Sequence, residues 1–258
     1  MVEINSISKT FNPGTINSVK ALDEVSLTLG SGEFVTVIGG NGSGKSTMLN
    51  AIAGVYLTDE GGIKLGRRDV TYLPEYKRAA WLGRVFQDPM IGTASEMTIE
   101  ENLALAVRRG TFRGLRRGVP KLERIKYREA LAQLDLGLED RLTTKVGLLS
   151  GGQRQALTLL MATIKEPELL LLDEHTAALD PKTAQKVLEL TDILVRRGNL
   201  TTLMITHNMK DAIRYGDRLI MMSRGKIVFE AVGNQKRELT VRDLVEKFSA
   251  IGAMDVDN

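Results

Sequence analysis

Cysteine is missing from this 258-residue chain, and histidine occurs only at His175 and His207. The first absence excludes disulfides and thiolate metal centres. The second leaves too few imidazoles for a histidine-rich metal cage. No apolar run approaches the roughly 20 residues that a bilayer-crossing helix needs, and the opening MVEINSISKTF lacks the basic-then-apolar layout of a secretion signal. The expectation is a chain that does not span a membrane yet is able to dock on a protein that does. An excess of one charge is lacking too: 35 Lys and Arg against 32 Asp and Glu leave +3, a balance that calls for no nucleic acid. What is present, 43% hydrophobic and 26% charged residues, is the composition of an ordinary globular protein. Its length suffices for one large domain or one domain with an inserted lobe.

Three short apolar runs punctuate the chain. GEFVTVIGG is β-rich and ends in Gly, and it leads into SGKSTMLNAIAG, where Met48, Leu49 and Ile52 fall at helical spacing before Gly54 as a stop. ELLLLDE ends in acids and LTTLMITH ends in His, so all three runs read as buried strands whose polar ends emerge at one edge. In parallel α/β sheets that carboxyl edge is where ligands sit. Between the first two runs the texture changes to helix formers, in TIEENLALAVRR, KYREALAQLDL and GGQRQALTLLMATIKE. The expected organisation is a single α/β domain over 1–258. Within it, 1–88 and 166–237 form the core with an N-terminal β subdomain, and VEINSISKTF, VKALDEVSLTL and IVFE near the end read as antiparallel strands. Residues 89–165 form an inserted helical lobe, and 238–258 a C-terminal helix, TVRDLVEKFSA, with a polar tail. No internal repeat is present.

GGNGSGKST, comprising Gly39, Gly40, Asn41, Gly42, Ser43, Gly44, Lys45, Ser46 and Thr47, fits the phosphate-loop pattern and has the strand-to-helix context that pattern requires. Glycines allow close backbone wrapping, the helix N-terminus offers positive dipole, Lys45 adds a full charge, and Ser46 can ligate Mg²⁺. The bare pattern arises by chance in about one such chain in a hundred, from average residue frequencies. In LLLLDEH, Asp173 is placed to hold the Mg²⁺ shell and Glu174 to orient or deprotonate a water, or the pair caps a helix instead. His207 ends the third strand, which must lie beside the other two, so its imidazole is a candidate hydrogen-bond donor to a γ-phosphate. Gln87, in VFQDP, can reach Mg²⁺ or the water at the entry to the helical lobe.

The order of these pieces, Gly39 to Ser46, Gln87, LSGGQ, LLLLDE, AALD and His207, resembles the ATP-binding subunit of ABC transporters across nearly the whole chain. GRVFQDPMIGTASEMTIEEN and DEHTAALDPKTA are most similar to bacterial transport ATPases that work with a permease and a substrate-binding lipoprotein, some of them associated with aromatic amino acid uptake. The resemblance implies a P-loop NTPase core of the ABC ATPase type, ATP and Mg²⁺ as ligands, and hydrolysis of ATP coupled to solute import. It further implies a homodimer, integral-membrane permease partners, an extracytoplasmic binding protein, and a location on the cytoplasmic face of the membrane. Ser150, Gly151, Gly152 and Gln153 would hold the γ-phosphate of ATP bound to the other subunit's loop. Asp180 would cross that interface, and Phe11 would stack on adenine unless it is an ordinary core residue. Ser46, Gln87 and Asp173 are the implied metal ligands, and Glu174, His207, Gln87 and Lys45 the implied catalytic set.

The sequence departs from the family at two positions: His175 replaces the Pro that commonly follows the acid pair, and Ala177 stands where Ser is usual. His175 begins the turn and is expected to point away from phosphate. The basic stretch Arg108, Arg109, Arg113, Arg116, Arg117 and Lys121 reads either as a solvated face or as a surface for anionic headgroups. The rival function is a soluble ABC ATPase acting on nucleic acid or ribosomes. Such proteins usually carry two cassettes in one chain, a long coiled-coil insertion or zinc cysteines; this chain has one cassette and no Cys. A nucleotide switch without efficient hydrolysis is disfavoured by Glu174 and His207.

Overall fold

The computed structural model describes residues 1–111 and 118–253, with side chains through 250. Arg113, Arg116 and Arg117 of the basic stretch lie outside the described residues. In chain order the elements begin with strands β1 (Val2–Phe11), β2 (Val19–Leu29) and β3 (Phe34–Gly39), helix α1 (Lys45–Ala53), and strands β4 (Glu60–Leu65) and β5 (Arg68–Asp69). Next come helix α2 (Glu75–Arg78), strand β6 (Leu82–Val85), helices α3 (Ile99–Val107), α4 (Lys121–Ala132) and α5 (Gly151–Thr163), strand β7 (Leu169–Asp173) and helix α6 (Pro181–Arg197). The last stretch holds β8 (Thr202–Ile205), α7 (Met209–Arg214), β9 (Arg218–Ser223), β10 (Lys226–Val232), α8 (Asn234–Glu238) and α9 (Val241–Ala253). Contacts group these into two compact units, Met1–Glu75 with Thr201–Asn258, and Tyr76–Leu200.

In the first unit, β1 pairs antiparallel with β2 on one side and β4 on the other, so that Ile4 faces Leu27 and Ile63. The phosphate-loop strand β3 lies between β8 and β9 and runs parallel to both, with Val37 opposite Ile205 and Ile220. Strand β10 returns antiparallel to β9. Strands covered on both faces read as continuous apolar runs rather than alternations. That is why VTVI and LMI carry no period of two: Val35, Val37, Ile38, Leu203 and Ile205 are all buried. The C-terminal helix α9 inserts Leu244 among Ile38, Ala212, Leu219 and Met221, with Phe248 packed against the same cluster.

In the second unit, β6 and β7 pair in parallel, Leu82 opposite Leu169 and Val85 opposite Leu172. Leu169 to Leu172 are wholly buried, and each such side chain contributes about 1.5–3 kcal/mol. The helices bury Ile99, Leu103, Tyr127, Leu131, Leu157 and Leu160 in a core of their own. Helix α3 starts with a capping box in which Thr98 Oγ1 accepts from the Glu101 amide (3.3 Å) while the Thr98 amide donates to Glu101 Oε2 (2.8 Å). The 17-residue helix α6 is absent from the elements expected above, although Asp180 and Pro181 spell an N-cap followed by Pro at the first helical position. Its buried Val187, Leu188, Thr191 and Val195 mark the packed stripe.

Candidate functional site

The loop after β3 is built around two left-handed glycines, Gly42 (φ 75°) and Gly44 (φ 100°). A Cβ on Gly44 would lie 2.5 Å from the Ala21 carbonyl oxygen, so both conformation and space require glycine there. The Ser43 carbonyl accepts from the Gly225 amide (3.0 Å), which pins the loop to the β9–β10 turn. Lys45 is buried, and its Nζ donates to the carbonyls of Gly39 (2.8 Å) and Gly40 (2.9 Å). Helix α1 has neither a side-chain cap nor an acid in its first turn. The dipole of its N-terminus therefore favours an anion there, beside a lysine already aimed along the loop. Asn41, Gly42 and Ser46 are exposed around this cradle and Thr47 is half-buried. Gly44→Ala is expected to lower ATP affinity at least about 10-fold, since the strained residue costs about 1–3 kcal/mol and displaces the loop. Equilibrium titration with a fluorescent ATP analogue checks this, and native affinity would show that the loop tolerates a Cβ.

His207 lies on the β8–α7 connection, exposed, and lines a cavity of about 250 Å³ with Gly39, Gly40, Ile38, Met209 and Phe248. Its neighbours anchor it. The Thr206 amide donates to the Val37 carbonyl (3.1 Å), and Asn208 Oδ1 caps α7 by accepting from the Lys210 amide (3.0 Å). The parallel pairing of β3 and β8 thus brings His207 beside the first glycines of the phosphate loop, as expected for a strand-end residue. Phe11 is half-buried at the end of β1, its ring edge-on to Tyr56 at a centroid distance of 5.2 Å. Tyr56 had no sequence signal.

In the second unit, Asp173 ends β7 and stands 3.7 Å from the Arg84 guanidinium on neighbouring β6. The Arg84 guanidinium carbon lies 4.5 Å from the centroid of the Phe86 ring. Glu174 follows, half-buried and held at φ 44°, a left-handed conformation costly for a residue with a Cβ. Its carbonyl accepts from the Ala177 amide (2.9 Å). His175 is buried against α6, where its Nε2 sits 3.1 Å from Thr191 Oγ1, and burial holds its pKa down to about 4. Asp180 is exposed and caps α6 through Oδ1, which accepts from the Thr183 amide (3.1 Å); the Thr183 hydroxyl first and its amide second lower the Asp180 pKa.

Ser150 opens α5 with a second capping box: its hydroxyl accepts from the Gln153 amide (3.3 Å), and its own amide donates to Gln153 Oε1 (3.3 Å). Ser150 and Gly151 are exposed. Gly152 is buried, and a Cβ there would meet the Thr183 methyl at 2.2 Å, so the close packing requires glycine. About one turn along, the same helix uses the buried Gln155, whose Nε2 donates to the Phe86 carbonyl (3.2 Å), so the start of α5 is tied to the residue preceding Gln87. Gln87 itself is exposed. Gln155 and Arg84 escape a sequence reading because nothing in their spacing announces what they touch. Near them a groove of about 470 Å³ is lined by Gly92, Thr93, Asn102, Leu105, Arg109 and Met161 among others. Asn102 holds its rim, accepting from the Ala94 amide (2.8 Å) and donating to the Ala94 and Thr98 carbonyls. Of the basic stretch, Arg108 is bound to Glu123 (2.9 Å) and to the Ala104 carbonyl, and Arg109 donates to the Ala162 carbonyl. Neither is a freely solvated cation, while Lys121 is exposed.

The chain matches the ABC transporter family over residues 22–177, a span that contains the phosphate loop, the Ser150 cap and both β7 acids. It belongs to that family. The chain is 47% identical over 251 residues to the tyrosine transport ATP-binding protein of Clostridioides difficile, covering 96% of this chain and 98% of that one. It is 33% identical to the spermidine/putrescine import ATP-binding protein PotA of Haemophilus influenzae, matching 99% of this chain but only 64% of that longer relative. Among solved structures, a dimeric ATP-binding cassette in a post-hydrolysis state with ADP and Pi superimposes with a TM-score of 0.76 at 31% identity, covering 90% of this chain and 98% of that one. This cassette therefore has the ABC ATPase fold, with its antiparallel β sheet and helices, and is an ATP-hydrolysing transport ATPase. Among the described residues, no helix is long and apolar enough to cross a membrane.

Proposed function

We propose that this cassette powers the import of an aromatic amino acid, working as a homodimer beneath a membrane permease supplied by an extracytoplasmic binding protein. The observation that carries the cargo is the near-full-length likeness to a tyrosine transport ATP-binding protein. In the proposed cycle the phosphate loop, Gly39 to Thr47, holds the phosphates of ATP and Phe11 stacks on its base. The exposed Ser150–Gly151 turn of a second copy, with Gly152 and Gln153, closes over the γ-phosphate, and Asp180 bridges the two copies. Support for this comes from the open N-terminus of α1 and from a second, solvent-facing helix start at Ser150.

Glu174 orients and deprotonates the attacking water, while Lys45, His207 and the second copy's Ser150 stabilise the charge spreading over the γ-phosphoryl group. Among the described residues no group of three or more His, Cys, Asp or Glu gathers into a metal cage. That suits Mg²⁺, which takes few protein ligands and shares phosphate oxygens. Ser46, Gln87 and Asp173 would hold it, and it would supply positive charge to neutralise phosphate oxygens there. Nucleotide favours the closed pair only because ATP touches both copies, and hydrolysis removes that preference. The groove edged by Gly92 and Asn102 receives a cytoplasmic helix of the permease, which places the cassette on the inner face of the membrane.

The test is reconstitution in proteoliposomes with the permease and binding protein that co-purify with it from membranes. Tyrosine or another aromatic amino acid, with binding protein inside the assay, is expected to raise ATPase activity at least about threefold, because ligand-loaded partners shift the cassettes toward closure. Stimulation by a polyamine or by methionine alone would overturn the cargo.

A further inference from the structure

We infer that His175 is a positioning residue, which fixes the backbone of Glu174 by fastening the β7–α6 turn to the side of α6 through Thr191. This rests on the reading of Glu174 as the group that orients water. Glu174 holds a left-handed φ of 44° that persists only where its surroundings enforce it. A Pro at position 175 would stiffen the turn covalently by locking its own φ. This chain lacks that Pro and instead sends an imidazole into the protein, 2% exposed, to meet Thr191 Oγ1 at 3.1 Å. Thr191 is itself fixed, its hydroxyl bonded to the Val187 carbonyl (2.7 Å) one turn back, and is 1% exposed.

The far end of the turn is fastened to the same helix by the Asp180 cap. Residues 174–180 are thus held at both ends on α6, and the end beside Glu174 depends on a hydroxyl. A buried imidazole nitrogen without its partner is costly enough that the ring will shift to find another, and Glu174 shifts with its neighbour.

The experiment compares Thr191→Val, Thr191→Ala and Thr191→Ser in the full chain. Thr191→Val removes the hydroxyl at constant shape and is expected to lower kcat about 10-fold with KM for ATP and ATP affinity within about twofold, since small misplacement of a catalytic group costs rate rather than binding. Thr191→Ser, which keeps the hydroxyl, retains kcat within about twofold by the same reasoning. Stiffening the turn with a ring in His175→Pro/Thr191→Val recovers kcat relative to Thr191→Val alone. If Thr191→Val does not fold, Thr191→Ala against Thr191→Ser makes the same comparison. Equal kcat for the hydroxyl-bearing and hydroxyl-free variants, or parallel loss of kcat and ATP affinity, overturns the inference. Glu174→Gln run alongside separates the two ideas: a native rate there removes the role of Glu174, whereas an inactive Glu174→Gln beside a fully active Thr191→Val removes only that of His175.

Discussion

Glu174→Gln is expected to bind ATP as tightly as the native cassette and to hydrolyse it about 10²–10⁴-fold more slowly, the contribution usual for a positioned general base. The amide matches the carboxylate in size and leaves the φ of 44° undisturbed. What it loses is the capacity to take a proton. In the proposed cycle the closed pair is stabilised by intact ATP and released on hydrolysis, so blocking the chemistry is expected to trap the closed state. Size-exclusion chromatography should therefore show a dimer of Glu174→Gln with ATP and a monomer with ADP. The rate loss corresponds to about 3–5 kcal/mol of transition-state stabilisation. A native rate would show that Asp173 or another group does this work and that Glu174 is structural.

The second large effect concerns where a complete site comes from. Lys45→Ala removes the cation of the phosphate loop, and Gly152→Asp drives a side chain and a negative charge into the start of α5, where even a Cβ meets Thr183. Each variant alone is expected to be inactive. In a head-to-tail pair, however, a mixed dimer contains one site made of two intact halves and one made of two damaged halves. An equimolar mixture should therefore recover about a quarter of the native activity, half the dimers being mixed and each having one of two sites, as a symmetric interface requires. Recovery depends on total concentration, since the pair must form. A mixture no more active than its components would show that each chain completes its own site. The proposed role of Ser150 to Gln153 toward a neighbouring nucleotide would then fall.

Elements bounded by strong local chemistry were readable before any coordinates. β3 and α1 are delimited by an apolar run, by Gly42 and Gly44 at positive φ, and by Gly54 as a left-handed stop at φ 84°. α3 and α5 begin at Thr98 and Ser150, whose capping boxes are spelled out three residues ahead by Glu101 and Gln153. α6 was less readable despite its cap: PKTAQKVLELTDILVRR alternates short apolar groups with charges, and it follows an acid-rich turn that draws attention to chemistry instead. β6 is four residues long, too short to show a period.

The linear chain alone determined which chemical groups are available: a glycine loop with its lysine, two acids after a leucine run, a Ser-Gly-Gly cap and a histidine at a strand end. These are local because glycine conformations, helix caps and apolar runs depend on residues within a turn of one another. Only the tertiary structure decided what those groups touch. Parallel pairing of β3 and β8 put His207 beside Gly39, pairing of β6 and β7 put Arg84 near Asp173, and packing of a turn on α6 gave His175 its partner 16 residues away. Such contacts join residues far apart in sequence, and their free energy comes from burial that exists only once the surrounding core has formed.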